Sequence, residues 1–72
     1  MLRPMPLSAR NRLQGQVTEI ESGGIMSHIT VRVGQNLIES VITNRSVKEL
    51  KLKVGDTVTA VIKSTEVMIQ KD

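Results

Sequence analysis

The run Ile25-Met26-Ser27-His28-Ile29-Thr30-Val31-Arg32-Val33 alternates without a break. Ile25, Ser27, Ile29, Val31 and Val33 fall on one face, and Met26, His28, Thr30 and Arg32 on the other. A period of two marks a half-buried strand. Gly34-Gln35-Asn36 supplies the residue types of a tight turn, and Leu37 to Ile42 resumes an apolar run, so the segment predicts a β-hairpin. Upstream, Leu13, Gly15 and Val17 alternate with Arg12, Gln14, Gln16 and Thr18. They predict a first strand over residues 11–20, closed by the turn Glu21-Ser22-Gly23-Gly24.

Downstream of Ile42 the pattern changes. Ser46-Val47-Lys48-Glu49 has the form of a capping box, and Thr43 is equally placed to cap the first turn; either choice predicts a short helix ending near Leu50. Leu52-Lys53-Val54-Gly55-Asp56 forms a turn. Thr57 to Lys63 predicts a fourth strand with Val58, Ala60 and Ile62 on one face, and Ser64-Thr65-Glu66 turns into a short fifth strand over Val67–Gln70. Three strands, a short helix and two strands predict an all-β fold, the small five-stranded Greek-key barrel of the OB-fold type, with the helix between strands three and four. Residues 1–7 contain both prolines and predict a flexible lead-in to a domain over residues 8–72.

Size sets a further expectation. A chain of 72 residues buries only about 60% of the surface its unfolded form exposes, and is marginal alone. Cysteine is absent, so no disulfide can reinforce it, and a reducing, cytoplasmic setting is expected. One histidine, His28, without an acidic cluster at ligand spacing predicts no metal site. Oligomerisation is the remaining reinforcement. No apolar run approaches the ~20 residues needed to cross a bilayer. The net charge of +3 and pI near 9.8 suit an anionic partner.

Three clusters carry the candidate chemistry: Ser8-Ala9-Arg10-Asn11, Thr43-Asn44-Arg45-Ser46 and Lys63-Ser64. They offer hydroxyl, guanidinium, ammonium and backbone N–H donors, and no carboxylate. Such a set suits a small, fully deprotonated oxyanion, whose oxygens only accept hydrogen bonds. Ser8 and Arg10 are two apart in an extended segment and share a side. Thr43 to Ser46 mark a helix start with unpaired N–H groups, and Lys63 ends a strand. Singly each residue is ordinary: Ser46 a helix cap, Lys63 a solvated lysine, Ser8 and Arg10 loop residues. Their joint order is what points to one pocket.

With these motifs in place, the chain resembles the Mop or molbindin group of TOBE domains. The resemblance rests on Ser8-Ala9-Arg10-Asn11 with Leu13 and Gly15, on Ile42-Thr43-Asn44-Arg45-Ser46-Val47, and on Leu50 and Leu52. Val54-Gly55-Asp56, Ala60-Val61-Ile62-Lys63 and Val67-Met68-Ile69 complete it. It implies a strand-exchanged oligomer, in free-standing members a hexamer built as a trimer of dimers. It also implies molybdate or tungstate bound at subunit interfaces for storage, buffering or homeostasis. Carried over residue by residue, Ser8, Arg10, Thr43, Ser46 and Lys63 become the oxyanion ligands. Lys51 stands where glycine is common in the group, which implies an altered helix C-terminus.

Two other classes compete. A nucleic-acid-binding OB module fits the fold and the pI, but such modules stack bases on aromatic side chains, and this chain has no Phe, Tyr or Trp. An enzyme is not expected either: there is no Cys, the lone His28 has no evident nucleophile or carboxylate partner, and no paired-acid motif is present.

Overall fold

The computed structural model describes residues 11–72. In chain order these form β1 (Asn11–Ser22), β2 (Met26–Val33), β3 (Asn36–Thr43), helix α1 (Asn44–Leu50), β4 (Thr57–Ile62) and one turn of 3-10 helix (Ser64–Glu66). The strands make one sheet in the order β3-β2-β1-β4, antiparallel throughout. The lead-in expected over residues 1–7, together with Ser8 and Arg10, lies outside the described residues.

The hairpin forms as its alternation demands. Val33 pairs with Asn36 across the two-residue turn Gly34-Gln35, where Gly34 adopts φ 62. Glycine at the first central position gives the turn a twist that matches its strands. Ser27, Ile29 and Val31 are buried on one face of β2. Thr30, expected outside, is also buried, and its carbonyl accepts the Thr18 hydroxyl at 3.4 Å. Ile25, expected on the core face, precedes the strand and is exposed.

β1 serves two neighbours. Asn11 to Gln16 pair with Ile62 to Thr57 of β4, and Gln16 to Ser22 pair with Arg32 to Ser27 of β2. Gln16 alone has a register partner on each side. Between Val17 and Glu19 the register shifts, a bulge that adds one residue and sharpens the twist. Val17 and Ile20 therefore both reach the core, although strict alternation would separate them. At the bulge, Val17 donates its N–H to the Asp56 carbonyl (2.9 Å) and accepts from the Gly55 N–H (2.8 Å). Asp56 closes its own turn by accepting the Lys53 N–H on Oδ2 at 2.9 Å.

The core is aliphatic. Val17, Ile29 and Val31 form its centre, with Ile20, Val33, Ile38, Ile42, Val47, Leu52 and Val58 packed around them.

Two expectations need correction. Residues 67–72 form no strand, and the barrel is open rather than closed. β3 and β4 are the two edges of the sheet and do not pair. Between them runs a groove of 640 Å³ lined by Ile38 and Ile42 on one side and Ala60 and Ile62 on the other. Val67–Ile69 pair with neither of these edges. Without a partner to take its N–H and C=O groups the segment cannot join a ladder, and Met68 and Ile69 remain 93% and 89% exposed.

Candidate oxyanion site

Thr43 closes β3 and caps α1. Its backbone is extended (φ −70, ψ 152) while its side chain accepts the Ser46 N–H at 3.0 Å. The structure thus chooses Thr43 over Ser46 as the N-cap, and Ser46 sits in the first turn. The two hydroxyls also meet, with Thr43 Oγ1 2.9 Å from Ser46 Oγ. A pair of hydroxyls holds two protons and their mutual bond uses one. One O–H is left to donate outward.

Nothing in the first turn opposes an anion, since it holds no acidic residue. Arg45 is tied to Glu49 four residues on, Nε to Oε2 at 3.2 Å, on the exposed side of the helix. At the other end Lys51 is the C-cap with φ 54, and its N–H reaches the Lys48 carbonyl at 3.1 Å while Leu52 reaches Val47. The residue that stands in place of a common glycine therefore adopts the left-handed conformation that glycine favours.

Asn44 is the residue that the sequence reading left without a role. Its Nδ2 donates to the carbonyls of Gly23 (3.2 Å) and Gly24 (3.1 Å), and its Oδ1 accepts from Ser27 Oγ. Its backbone N–H donates to the Ile25 carbonyl at 2.7 Å. A signal for this was present: Ser27 is a lone hydroxyl in an aliphatic stripe, and a buried hydroxyl requires a partner.

Lys63 follows β4 and begins the 3-10 turn, its carbonyl accepting the Glu66 N–H at 2.9 Å. Lys63 and Glu66 both line the groove between the sheet edges. The structure hydrogen-bonds Thr43 to Ser46 and places Lys63 after the strand at the other edge of the sheet. Thr43 pairs with Met26 on one edge strand, whereas Ile62, before Lys63, pairs with Asn11 on the other. Asn11 reinforces that pairing by donating Nδ2 to the Ile62 carbonyl at 3.2 Å. His28, expected to have no ligand role, bonds Glu39 through Nε2 at 2.7 Å. Among the described residues no three His, Cys, Asp or Glu side chains converge on a metal position.

Residues 7–69 match the TOBE domain family. The chain belongs to that family, in its molbindin or Mop group. Molybdenum-pterin-binding protein 1 of Clostridium pasteurianum is 47% identical over 66 residues, which cover 90% of this TOBE chain and 97% of that protein. A molybdate-binding protein from Sporomusa ovata has the same fold, with a TM-score of 0.88 at 39% identity, covering 93% of this chain and all of that one. The cytoplasmic molybdate-binding protein ModG, in a crystal structure with molybdate bound, aligns at a TM-score of 0.77 and 44% identity. That alignment spans 81% of the TOBE chain and 42% of ModG. No helix among the described residues is long and apolar enough to cross a membrane.

Proposed function

We propose that this chain binds molybdate and tungstate as intact oxyanions and serves to store or buffer them. The observation that carries the reading is the Thr43–Ser46 hydroxyl pair, which keeps one O–H to donate in a first turn free of carboxylates. The Sporomusa ovata molybdate-binding protein and ModG with molybdate bound share the fold that holds this pair. In this reading Ser8, Arg10, Thr43, Ser46 and Lys63 are the ligands, supplied by a domain over residues 8–72 that residues 1–7 lead into. The anion stays non-covalent and no reaction is catalysed. A cytoplasmic location is part of the proposal, supported by ModG being a cytoplasmic molybdate-binding protein.

The ligands come from more than one copy. Thr43 and Lys63 belong to opposite edges of the sheet, and the groove between those edges leaves aliphatic side chains open. Covering it with a second copy, and building a hexamer as a trimer of dimers, joins the hydroxyl pair of one chain to Ser8 and Arg10 of its neighbour.

Calorimetric titration with molybdate, tungstate, sulfate and phosphate tests the reading. Molybdate and tungstate should bind, sulfate more weakly and phosphate weakest. Phosphate retains a proton near neutral pH that needs an acceptor these donors do not supply, and sulfate is too small to reach every donor at once. Equal affinity for all four anions would mean a generic basic patch. Binding to oligonucleotide with none to molybdate would move the protein to the nucleic-acid class.

A further inference from the structure

We propose that Asn44 is a positioning residue for the oxyanion site, acting on the anion through Thr43 and Ser46 rather than by touching it. The inference rests on the oxyanion reading above. It begins with a problem that α1 poses. The helix has seven residues and buries none of them, and an isolated helix shorter than about 12 residues is marginal in water. Val47 and Leu52 pack on the core and hold its far half. Thr43 to Ser46, which carry the hydroxyl pair, add no side chain to that core cluster.

Asn44 holds this segment by hydrogen bonds instead. The carbonyls of Gly23 and Gly24 orient its amide, since a flipped amide would set oxygen against two acceptors. Oδ1 is thereby turned to Ser27, which is 1% exposed. Ser27 has one proton and the acceptor-only Oδ1 takes it. Ser22, 3.2 Å from Ser27, must then be the donor in that contact. With the Asn44 N–H on the Ile25 carbonyl, the end of β1, the turn to β2, the start of β2 and the start of α1 form one hydrogen-bonded unit. Thr43 directly precedes Asn44, and Ser46, two residues on, is bonded back to Thr43, so their geometry is fixed by the same unit.

The test separates positioning from general stability. Asn44→Ala leaves Ser27 with Ser22 as its remaining hydroxyl partner, whereas Asn44→Ala/Ser27→Ala removes both ends of the Ser27–Asn44 bond, a change that is often nearly neutral. Two readouts are taken on the assembled protein: molybdate affinity by calorimetry, and amide hydrogen exchange of Ser46 compared with Ile29 and Val31. The double variant should bind at least tenfold more weakly. Its Ser46 amide should exchange at least tenfold faster, while Ile29 and Val31 stay protected. Adding Ser46→Ala should weaken binding no more than threefold beyond Ser46→Ala alone, because the two act through one contact. Unchanged Ser46 exchange, a uniform rise in exchange across the sheet, or fully additive losses would overturn the proposal. Asn44→Ser cannot span both glycine carbonyls; it is measured in parallel and judged by the same outcomes should the double variant not fold. A wild-type protein that ignores molybdate defeats the oxyanion reading, and the exchange readout then decides on Asn44 alone.

Discussion

Gly15 lies so close to Arg32 that a β-carbon on it would stand 2.4 Å from the Arg32 carbonyl oxygen, with Val31 Cγ1 at 2.8 Å and Val33 Cγ2 at 2.9 Å. Part of that contact is backbone, which cannot swing aside. Gly15→Ala should therefore destabilise the protein by about 1–3 kcal/mol, the usual range for an overpacked site. Chemical denaturation at fixed protein concentration measures it, and a variant as stable as the parent would show that β1 is not pinned there.

Lys51 should respond in the opposite sense. Its left-handed backbone (φ 54) costs a residue with a β-carbon about 1–2 kcal/mol. Glycine removes that cost while adding about 0.4–1 kcal/mol of unfolded-state entropy. The first effect is the larger, so Lys51→Gly should stabilise by roughly 0.5–1 kcal/mol. A denaturation midpoint that moves down would mean the lysine side chain holds the turn in some other way.

Thr43 and Ser46 should separate stability from binding. Thr43→Val removes the helix cap and should cost about 1 kcal/mol of stability. Ser46→Ala leaves the Ser46 N–H on Thr43 Oγ1 intact and should cost little. Both should weaken molybdate: Ser46→Ala by about 1.5–3 kcal/mol for a hydrogen bond to a charged ligand, and Thr43→Val by removing the partner that orients the Ser46 hydroxyl. Arg10→Ala and Lys63→Ala should fall in the same range, while Lys48→Ala changes affinity little. Parallel titrations and melts check all five, and a Ser46→Ala protein with wild-type affinity would remove Ser46 from the site.

Shared sites make a quantitative expectation for mixed assemblies. Arg10→Ala and Ser46→Ala chains each bind poorly alone. Refolded together, a mixed two-fold pair contains one intact and one doubly defective site, so roughly a quarter of all sites should recover under random pairing. If mass spectrometry finds mixed oligomers and no binding returns, both clusters belong to one chain.

Ligand binding should also register as stability. Molybdate at ~100 times its dissociation constant should stabilise the folded form by about 2.7 kcal/mol. A melting temperature that answers to oligonucleotide and not to molybdate would favour the nucleic-acid reading.

Most of the sheet was legible because alternation is a local property. The hairpin from Met26 to Thr43 follows from where its aliphatic residues fall and from Gly34. The bulge at Val17–Glu19 was not legible, because one extra residue leaves no mark in composition and shows only as Ile20 reaching the core three places after Val17. The strand expected at Val67–Gln70 failed for another reason: apolar residues show what a segment could bury, not which edge is free to receive it. At the site, the Thr43–Ser46 pairing was readable from capping chemistry. The placement of Lys63 at the other edge of the sheet was not, since strand order is set by pairings distant in the chain.

Gln16 has a mechanical meaning. It is the one position of β1 paired both to β2, through Arg32, and to β4, through Thr57. On one side of it hangs the hairpin that ends in Thr43, and on the other the strand that ends at Ile62, just before Lys63. Spreading the two edges of the sheet would strain β1 at this shared position, where the Val17 contacts to Gly55 and Asp56 brace it, and would draw Val58 of β4 away from Val17, Ile29 and Val31. The two halves of the sheet thus share one paired position of β1, and the groove between their outer edges is as wide as the twist of β1 and the packing of Val58 on the core leave it.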